Sequence, residues 1–597
     1  MFAAIFNIDS RPVDPRQILI SNHDIEILGC DRRVAFIYSK AAPSPAPGQS
    51  SGIQDLEGRY WIVGRVRLDA RSELQSVLSE RIRGPLRDIS DAQLCLHAYA
   101  AWGDAFVDRI AGDFCFVLWD DDRNRLVCVR DQLGIRSLFH AEAGGSRFVS
   151  DSLDWIASRS SVNRDLDDAW VADFLTVGHS LEFERTVYRH IQRLAPAHVL
   201  TISDSGATVR RYWRLNIQEP LYFRDRRLYV ERFLDLLSNS IVDRLPAGRV
   251  GISMSGGLDS TTLAACAVHA TGDAARVVAE CLHFEKLESD NEKHFSSLVA
   301  QRLGIELRIR ACDELTYDSQ WQSRSIKTPE PSTLIVSAHM DRAVALERAN
   351  KAQVWFYGEG PDNALAFERG AYLSWLVGRR DWLRLGEAGL LYLRAKGLAG
   401  LTETLRRYAA RRQTVDEAID VPPWLDRSLV DRLGQEERLS GMSQLGGVGA
   451  SSTPRHPWHP GAIAWFNDPI WPAVFANYEF EESLAPFVLR HPFLDLRVLE
   501  FMLSVPTVPW ARNKLLLREA MRGRLPDELL ARKKATLPSA ALTSPLRIHG
   551  LPPLLRNSCL DRYIDVRAVP VVGSSGRHWQ QVVAVHALDY WLTQGTP

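Results

Sequence analysis

The stretch of the 597-residue sequence best equipped for chemistry is Arg249-Val-Gly-Ile-Ser-Met-Ser-Gly-Gly-Leu-Asp-Ser-Thr-Thr-Leu263. A short hydrophobic run leads into Ser255-Gly256-Gly257-Leu258-Asp259-Ser260, and Thr261, Thr262 and Leu263 open a helical run. Two glycines let backbone N–H groups turn inward with no Cβ in the way. A helix N-terminus adds unpaired N–H donors and the positive end of its dipole. The hydroxyls of Ser255 and Ser260 add donors, and the whole suits a pyrophosphate. Asp259 has no place beside a phosphate unless it holds a cation, which implies Mg²⁺. The string is not a Walker A loop, because no Gly-Lys-Ser/Thr follows.

Such a turn needs a strand to deliver it and a helix to receive it. Arg249 to Met254 reads as a short buried strand, Gln353 to Tyr357 as another that ends in Gly358, and Asp290 to Leu303 as a helix. That helix places Phe295, Leu298, Val299 and Leu303 on one face, with Gly304 at its C-cap. Strand–loop–helix alternation predicts a parallel sheet covered by helices. The first ~200 residues read differently, as strands such as Arg59 to Val66, Asp113 to Trp119 and Arg125 to Arg130. From Gly370 to about Ser440 the pattern is helical and, between Arg379 and Arg412, basic, which reads first as solvated helix faces and second as a surface for an acidic partner. Lys40 to Gly52 and Gly441 to Gly461 read as loops, the second long enough to be functional.

Composition narrows the function. Hydrophobic residues are 46% and charged residues 24% of the chain, as in soluble globular proteins. The formal net charge of −1 argues against a whole-chain binder of nucleic acid. The N-terminus has no signal-peptide pattern, and no apolar stretch is long enough to span a bilayer. Eight scattered cysteines without CxxC spacing fit buried thiols in a reducing cytoplasm and argue against a Cys-based metal site and a sulfur-transfer enzyme.

The string Ser255 to Ser260 resembles the PP-loop of ATP pyrophosphatases, and the chain resembles the asparagine synthetase family over nearly its full length. The resemblance rests on Tyr357-Gly358-Glu359-Gly360-Pro361-Asp362-Asn363-Ala364-Leu365, on Arg490-His-Pro-Phe-Leu-Asp495 and on the run Lys514 to Lys534. In the first half, Gly112 to Asp120 and Arg130 to Leu138 resemble the family's glutaminase domain. The fold implied is α/β: an N-terminal Ntn-hydrolase-like αββα sandwich over 1–215, then over 216–597 a PP-loop domain with a parallel sheet and extra C-terminal helices. ATP and Mg²⁺ are implied as cofactors. Carried over by position, Asp259 and Asp362 would be the metal-binding carboxylates. Ser253, Ser255, Gly256, Gly257, Leu258, Asp259, Ser260, Tyr357 and Gly358 would bind the nucleotide. Lys534 would stabilise charge in acyl transfer, and Glu359 would orient or deprotonate an amine. His491 stands where the family usually has a small apolar residue, and reads as a packed or pocket-lining histidine rather than a catalytic one.

One half of the family pattern is missing. The family's glutaminase begins Met-Cys and uses that thiol as nucleophile with its own α-amine as base; here the second residue is Phe2, which also disfavours removal of Met1. The Asn-Gly pair expected to support the tetrahedral intermediate is replaced by Val63-Gly64, although Ser90-Asp91 stands at the amine-binding position. The implied glutaminase site is therefore dead in an intact fold, and the amine must come from elsewhere. β-Lactam synthetase and the lasso-peptide cyclases share that loss. The Pro361 and Asn363 version of the acidic motif, and Arg67 to Leu74, resemble the cyclases most. The expected activity is adenylation of an Asp or Glu side chain of a precursor peptide, followed by closure onto its N-terminal amine. Implied partners are the precursor peptide, a leader-peptide-binding protein and a leader peptidase, all in the cytoplasm. The alternatives are an ammonia-dependent amidotransferase and, less favoured because the ATP-side motifs survive, a non-catalytic scaffold.

Overall fold

The computed structural model describes residues 1–9, 11–14, 18, 25–29, 33–39, 52–81, 86, 89–283, 291–311, 321–323, 326–336, 342–391, 420–444, 456–532, 551–570 and 578–594. In the first half the strands are Phe2–Asn7 (β1), Ile25–Leu28 (β2), Val34–Ser39 (β3), Gln54–Leu56 (β4), Tyr60–Leu68 (β5), Gly112–Asp120 (β6), Arg125–Arg130 (β7), Phe139–Ala143 (β8), Ser146–Ser150 (β9), Gln192–Arg193 (β10), His198–Ser203 (β11) and Gly206–Arg211 (β12). They form two sheets, ordered β10-β8-β9-β1-β3-β2 and β12-β11-β7-β6-β5-β4.

The period-2 alternation of strand side chains explains the layering. Along β1, Phe2, Ala4 and Phe6 point between the sheets and pack with Val63, Cys115 and Val117. Ala3 and Ile5 point the other way, onto Trp170, Val171 and Phe174 of the helix Asp168–Val177. The outer face of the second sheet, through Phe114, Phe116 and Leu118, packs with Leu94 and Tyr99 of the helix Asp91–Trp102. The result is the expected αββα sandwich.

The second half carries Val250–Ser253 (β13), Val277–His283 (β14), Glu306–Ala311 (β15), Val354–Phe356 (β16) and Val488–Arg490 (β17). They form one sheet in the order β15-β14-β13-β16-β17, with every pairing parallel. The helix Glu292–Leu303 ends at Gly304 in the left-handed region, as its sequence predicts, and buries Phe295 and Val299.

Two features tie the halves together. The last helix, Trp579–Thr593, returns to the first half, where Val585, Leu588 and Trp591 join the cluster around Trp170 and Phe174. Buried Arg244 pairs with Asp69 of the first half at 2.6 Å and with Asp495 of the second at 3.0 Å. Asp69 and Asp113 also pair with Arg67, so the Arg67 to Leu74 segment serves the interface between halves. Each buried charge there has an opposite charge, as its desolvation requires.

Of the expected loops, residues 40–51 and 445–455, Arg455 included, lie outside the described residues, as do residues 392–412 of the basic stretch. The second loop is shorter than its sequence suggests. Residues up to Gln444 continue a helix, and Pro460 opens another. Trp458 and His459 are buried, so they belong to the core rather than to an exposed loop.

Candidate active site

β13 delivers the chain into the glycine turn, and the following helix begins at Leu258, three residues earlier than the sequence reading places it. Gly257 is its N-cap, so Asp259 and Ser260 lie in the first turn, at the positive end of the dipole. Gly256 is needed twice over: its φ is +59°, and a Cβ there would lie 2.7 Å from the Glu292 carbonyl oxygen. Ser260 Oγ accepts from the Ser255 N–H at 3.1 Å and faces Ser255 Oγ at 3.3 Å. Thr261 and Thr262 turn their hydroxyls back onto the carbonyls of Gly257 and Leu258. Arg532, 276 positions away in sequence, donates to the Gly256 carbonyl at 2.8 Å and braces the turn from outside.

β16 brings the second motif alongside. The Tyr357 N–H donates to the Arg490 carbonyl and prolongs the ladder with β17. Gly358 lies against the loop helix, where a Cβ would stand 3.2 Å from the Ser260 nitrogen and 3.4 Å from Asp259 Cβ. The Tyr357 hydroxyl accepts from Arg348 at 3.1 Å, and Arg348 is held by Glu280 and Glu481, so this ring is structural.

The two acids assigned to metal converge on one point. The Lys514 ammonium lies 2.5 Å from Asp259 Oδ2 and 2.8 Å from Asp362 Oδ1. Two carboxylate oxygens within reach of one cationic atom are a set a hard divalent ion could take, so these residues fit Mg²⁺. Lys514 itself lies within the Lys514 to Lys534 run, but its place in the site is visible only in three dimensions. Lys534 lies outside the described residues.

Glu359 is half-buried, and the Tyr478 hydroxyl donates to its Oε1 at 2.8 Å. Burial pushes its carboxyl above the ordinary range; the nearby Asp362 adds to that, and the Tyr478 hydrogen bond opposes it. Tyr478 is a residue the sequence reading passed over, since a lone tyrosine on a helix carries no signal. His491 packs against the rings of Tyr478, Phe475 and Tyr357. Burial lowers its pKa to about 3, so it is a neutral packed ring, as expected.

A second hollow lies between the halves. A cavity of about 910 Å³ is lined by Met1, Phe2, Gly64, Arg65 and Asp151 from the sandwich and by Glu479 and Glu482 from the helix Ile470–Leu484, among others. Among the described residues no cysteine lines it. The Phe2 N–H donates to Asp151, and the Phe2 ring is buried between the sheets. Cys115 lies nearby in the sandwich core, where burial drives its thiol well above the usual range, so it holds its proton. Ser90 caps the helix Asp91–Trp102, and Asp91 accepts from the Leu68 N–H and Arg71; neither lines the cavity.

Comparison with known proteins shows what the chain is similar to. Residues 232–592 match the asparagine synthase family, and residues 25–213 match a glutamine amidotransferase domain. The chain is 23% identical over 493 residues to asparagine synthetase [glutamine-hydrolyzing] 3 of Bacillus subtilis, covering 79% of this chain and 73% of that protein. It is 25% identical over 502 residues to amidase chyE of Penicillium rubens, covering 74% of this chain and 71% of the relative.

Proposed function

The chain belongs to the asparagine synthase family of ATP-dependent amide-forming ligases, and from that premise we propose that it is a macrolactam synthetase of the lasso-peptide cyclase type, acting on a precursor peptide and releasing AMP and pyrophosphate. The observation that carries this reading is a contrast. Asp259, Asp362 and Lys514 converge at the phosphate loop, whereas no cysteine among the described residues lines the cavity at Phe2. A site that activates a carboxylate but has no thiol to release ammonia must take its amine from another donor. The peptide's own N-terminus is that donor, and holding it in place converts the attack into an intramolecular step.

In the first step a side-chain carboxylate oxygen of the peptide attacks the α-phosphorus of ATP, and the bond to the β-phosphate oxygen breaks. Loop N–H groups and the Lys514 ammonium stabilise the charge that moves onto pyrophosphate. Asp259 and Asp362 would hold Mg²⁺, which would supply charge neutralisation at the phosphates. In the second step the amine nitrogen attacks the acyl carbon and AMP leaves with the bonding pair. Glu359, whose burial raises its affinity for a proton, takes the proton the amine loses, and Tyr478 keeps its carboxylate aimed. On this reading the partners are the precursor peptide, a leader-peptide-binding protein and a leader peptidase, in the cytoplasm. No helix among the described residues is long and apolar enough to cross a membrane.

The test is mass spectrometry of the cleaved core peptide with enzyme, ATP and Mg²⁺. The expected product is about 18 Da lighter, one water, whatever the ring size. An N-acetylated peptide should not lose that mass. The likeness to the Bacillus subtilis synthetase supports a second reading, an ammonia-dependent amidotransferase. Amidation by added ammonia with no ring formed would move the assignment there.

A further inference from the structure

The 910 Å³ cavity between the halves does not reach the phosphate loop: Asp259, Glu359, Asp362 and Lys514 are not among its lining residues. The helix Ile470–Leu484 and β17 form the wall between the two hollows. Glu479 and Glu482 of that helix face the cavity and Tyr478 meets Glu359 on the other side.

The cavity is built for a polar ligand. Ser137, Thr328 and His179 line it and are 2%, 4% and 7% exposed, so each is nine-tenths buried or more. Among the described residues Ser137 Oγ, Thr328 Oγ1 and His179 Nε2 have no hydrogen-bond partner. Buried polar atoms of folded proteins are paired in the great majority of cases, so three such atoms around one space call for a ligand or ordered water. His179 Nδ1 faces the Val177 carbonyl at 3.1 Å, which fixes the proton on Nδ1 and leaves Nε2 an acceptor. The hydroxyls can donate. An acceptor and donors lining one cavity together complement a peptide unit, whose N–H donates and whose carbonyl accepts.

The charges agree. Arg65 pairs with Asp151 at 2.9 Å, and Arg136 with Glu482 at 2.6 Å. The Ser137 N–H donates to Glu479. Charges of both signs are thus balanced within the wall, which offers no excess field to a phosphate or a polyacid. At about 910 Å³ the space is larger than a single free amino acid needs. It falls at the upper end of the ~300–1,000 Å³ range of pockets that enclose drug-sized ligands.

We infer that this cavity, in place of a glutamine site, binds a short peptide segment through its backbone. Resting on the macrolactam reading, that segment is a part of the precursor remote from the reacting acid, held by the same chain that closes the ring.

The experiment uses the purified full chain and a library of N-acetylated, C-amidated heptapeptides, read by affinity selection and mass spectrometry without ATP. The wild type should retain a defined subset. Ala476→Trp, which puts an indole into the space, should abolish retention, and Thr328→Val, which removes one hydroxyl at constant shape, should weaken it about fivefold. Unchanged thermal midpoints certify that both variants fold. Equal retention by wild type and both variants, or retention of free L-glutamine with no heptapeptide, would overturn the inference. Because binding is read without ATP, a failure of ring closure leaves this result standing, and a failure of binding leaves ring closure to its own assay.

Discussion

Lys514 and Asp259, 255 positions apart in sequence, meet at 2.5 Å, and the same ammonium reaches Asp362 at 2.8 Å. One lysine therefore closes the charge of the two acids that the sequence assigns to metal. Its ammonium is a compact point charge on a four-carbon stem.

Lys514→Gln should lower ring formation by about 10²–10³, the loss seen when one group aimed at transition-state charge is removed. Lys514→Arg should not restore it, because a planar fork cannot substitute for a point charge between two converging acids. Turnover with ATP and peptide checks both.

Asp259→Ala and Asp362→Ala should each reduce turnover by orders of magnitude, of the kind found when a catalytic electrostatic group is lost. The wild-type products should be AMP and pyrophosphate. Nucleotide analysis that finds ADP and phosphate would remove the pyrophosphatase assignment.

Glutamine should not serve as nitrogen donor. Glutamate release should stay at the level of a heat-killed control. Phe2→Cys should not restore release, since Val63 still lacks the donor that the tetrahedral intermediate needs and position 2 is buried between the sheets.

Glu359 is held above the ordinary carboxyl range by burial, so as a base it gains activity only as pH rises through that elevated value. The pH–rate profile should show an acidic limb that Glu359→Gln removes along with most of the rate. Tyr478→Phe deletes a hydrogen bond that favours the charged form, so the limb should move to higher pH.

His491 is depressed from an ordinary 6.5 to about 3 by burial. Between those values the unfolded chain binds a proton that the folded chain refuses. The contribution of His491 is therefore fully present above pH ~6.5 and is lost as pH falls toward about 3. The thermal midpoint of wild type should fall more steeply between pH 6.5 and 4 than that of His491→Phe, which keeps the aromatic packing without the titration.

What the sequence determined by itself was local. The glycine turn between a buried strand and a helix is written in consecutive residues, so Ser255 to Ser260 could be placed before any coordinate was known, and Gly256 carries the positive φ that the turn requires. Runs of β-branched, aromatic and apolar residues between turn formers foretold β5, β6 and β7 for the same reason: consecutive residues carry the signal. The replacement of cysteine by Phe2 and of a donor by Val63 was legible too, because it is a matter of residue type at a motif position. The tertiary structure decided what depends on partners distant in the chain. Tyr478 reaches Glu359 across 119 positions, and Arg532 braces Gly256 across 276. Only the packing of helices on the sheet brings such pairs together, and no spacing rule within one element encodes it. For the same reason the last helix, read from its sequence as part of the second half, covers the sandwich of the first: its apolar surface is satisfied by whichever face the fold leaves open, and here that face belongs to Trp170 and Phe174.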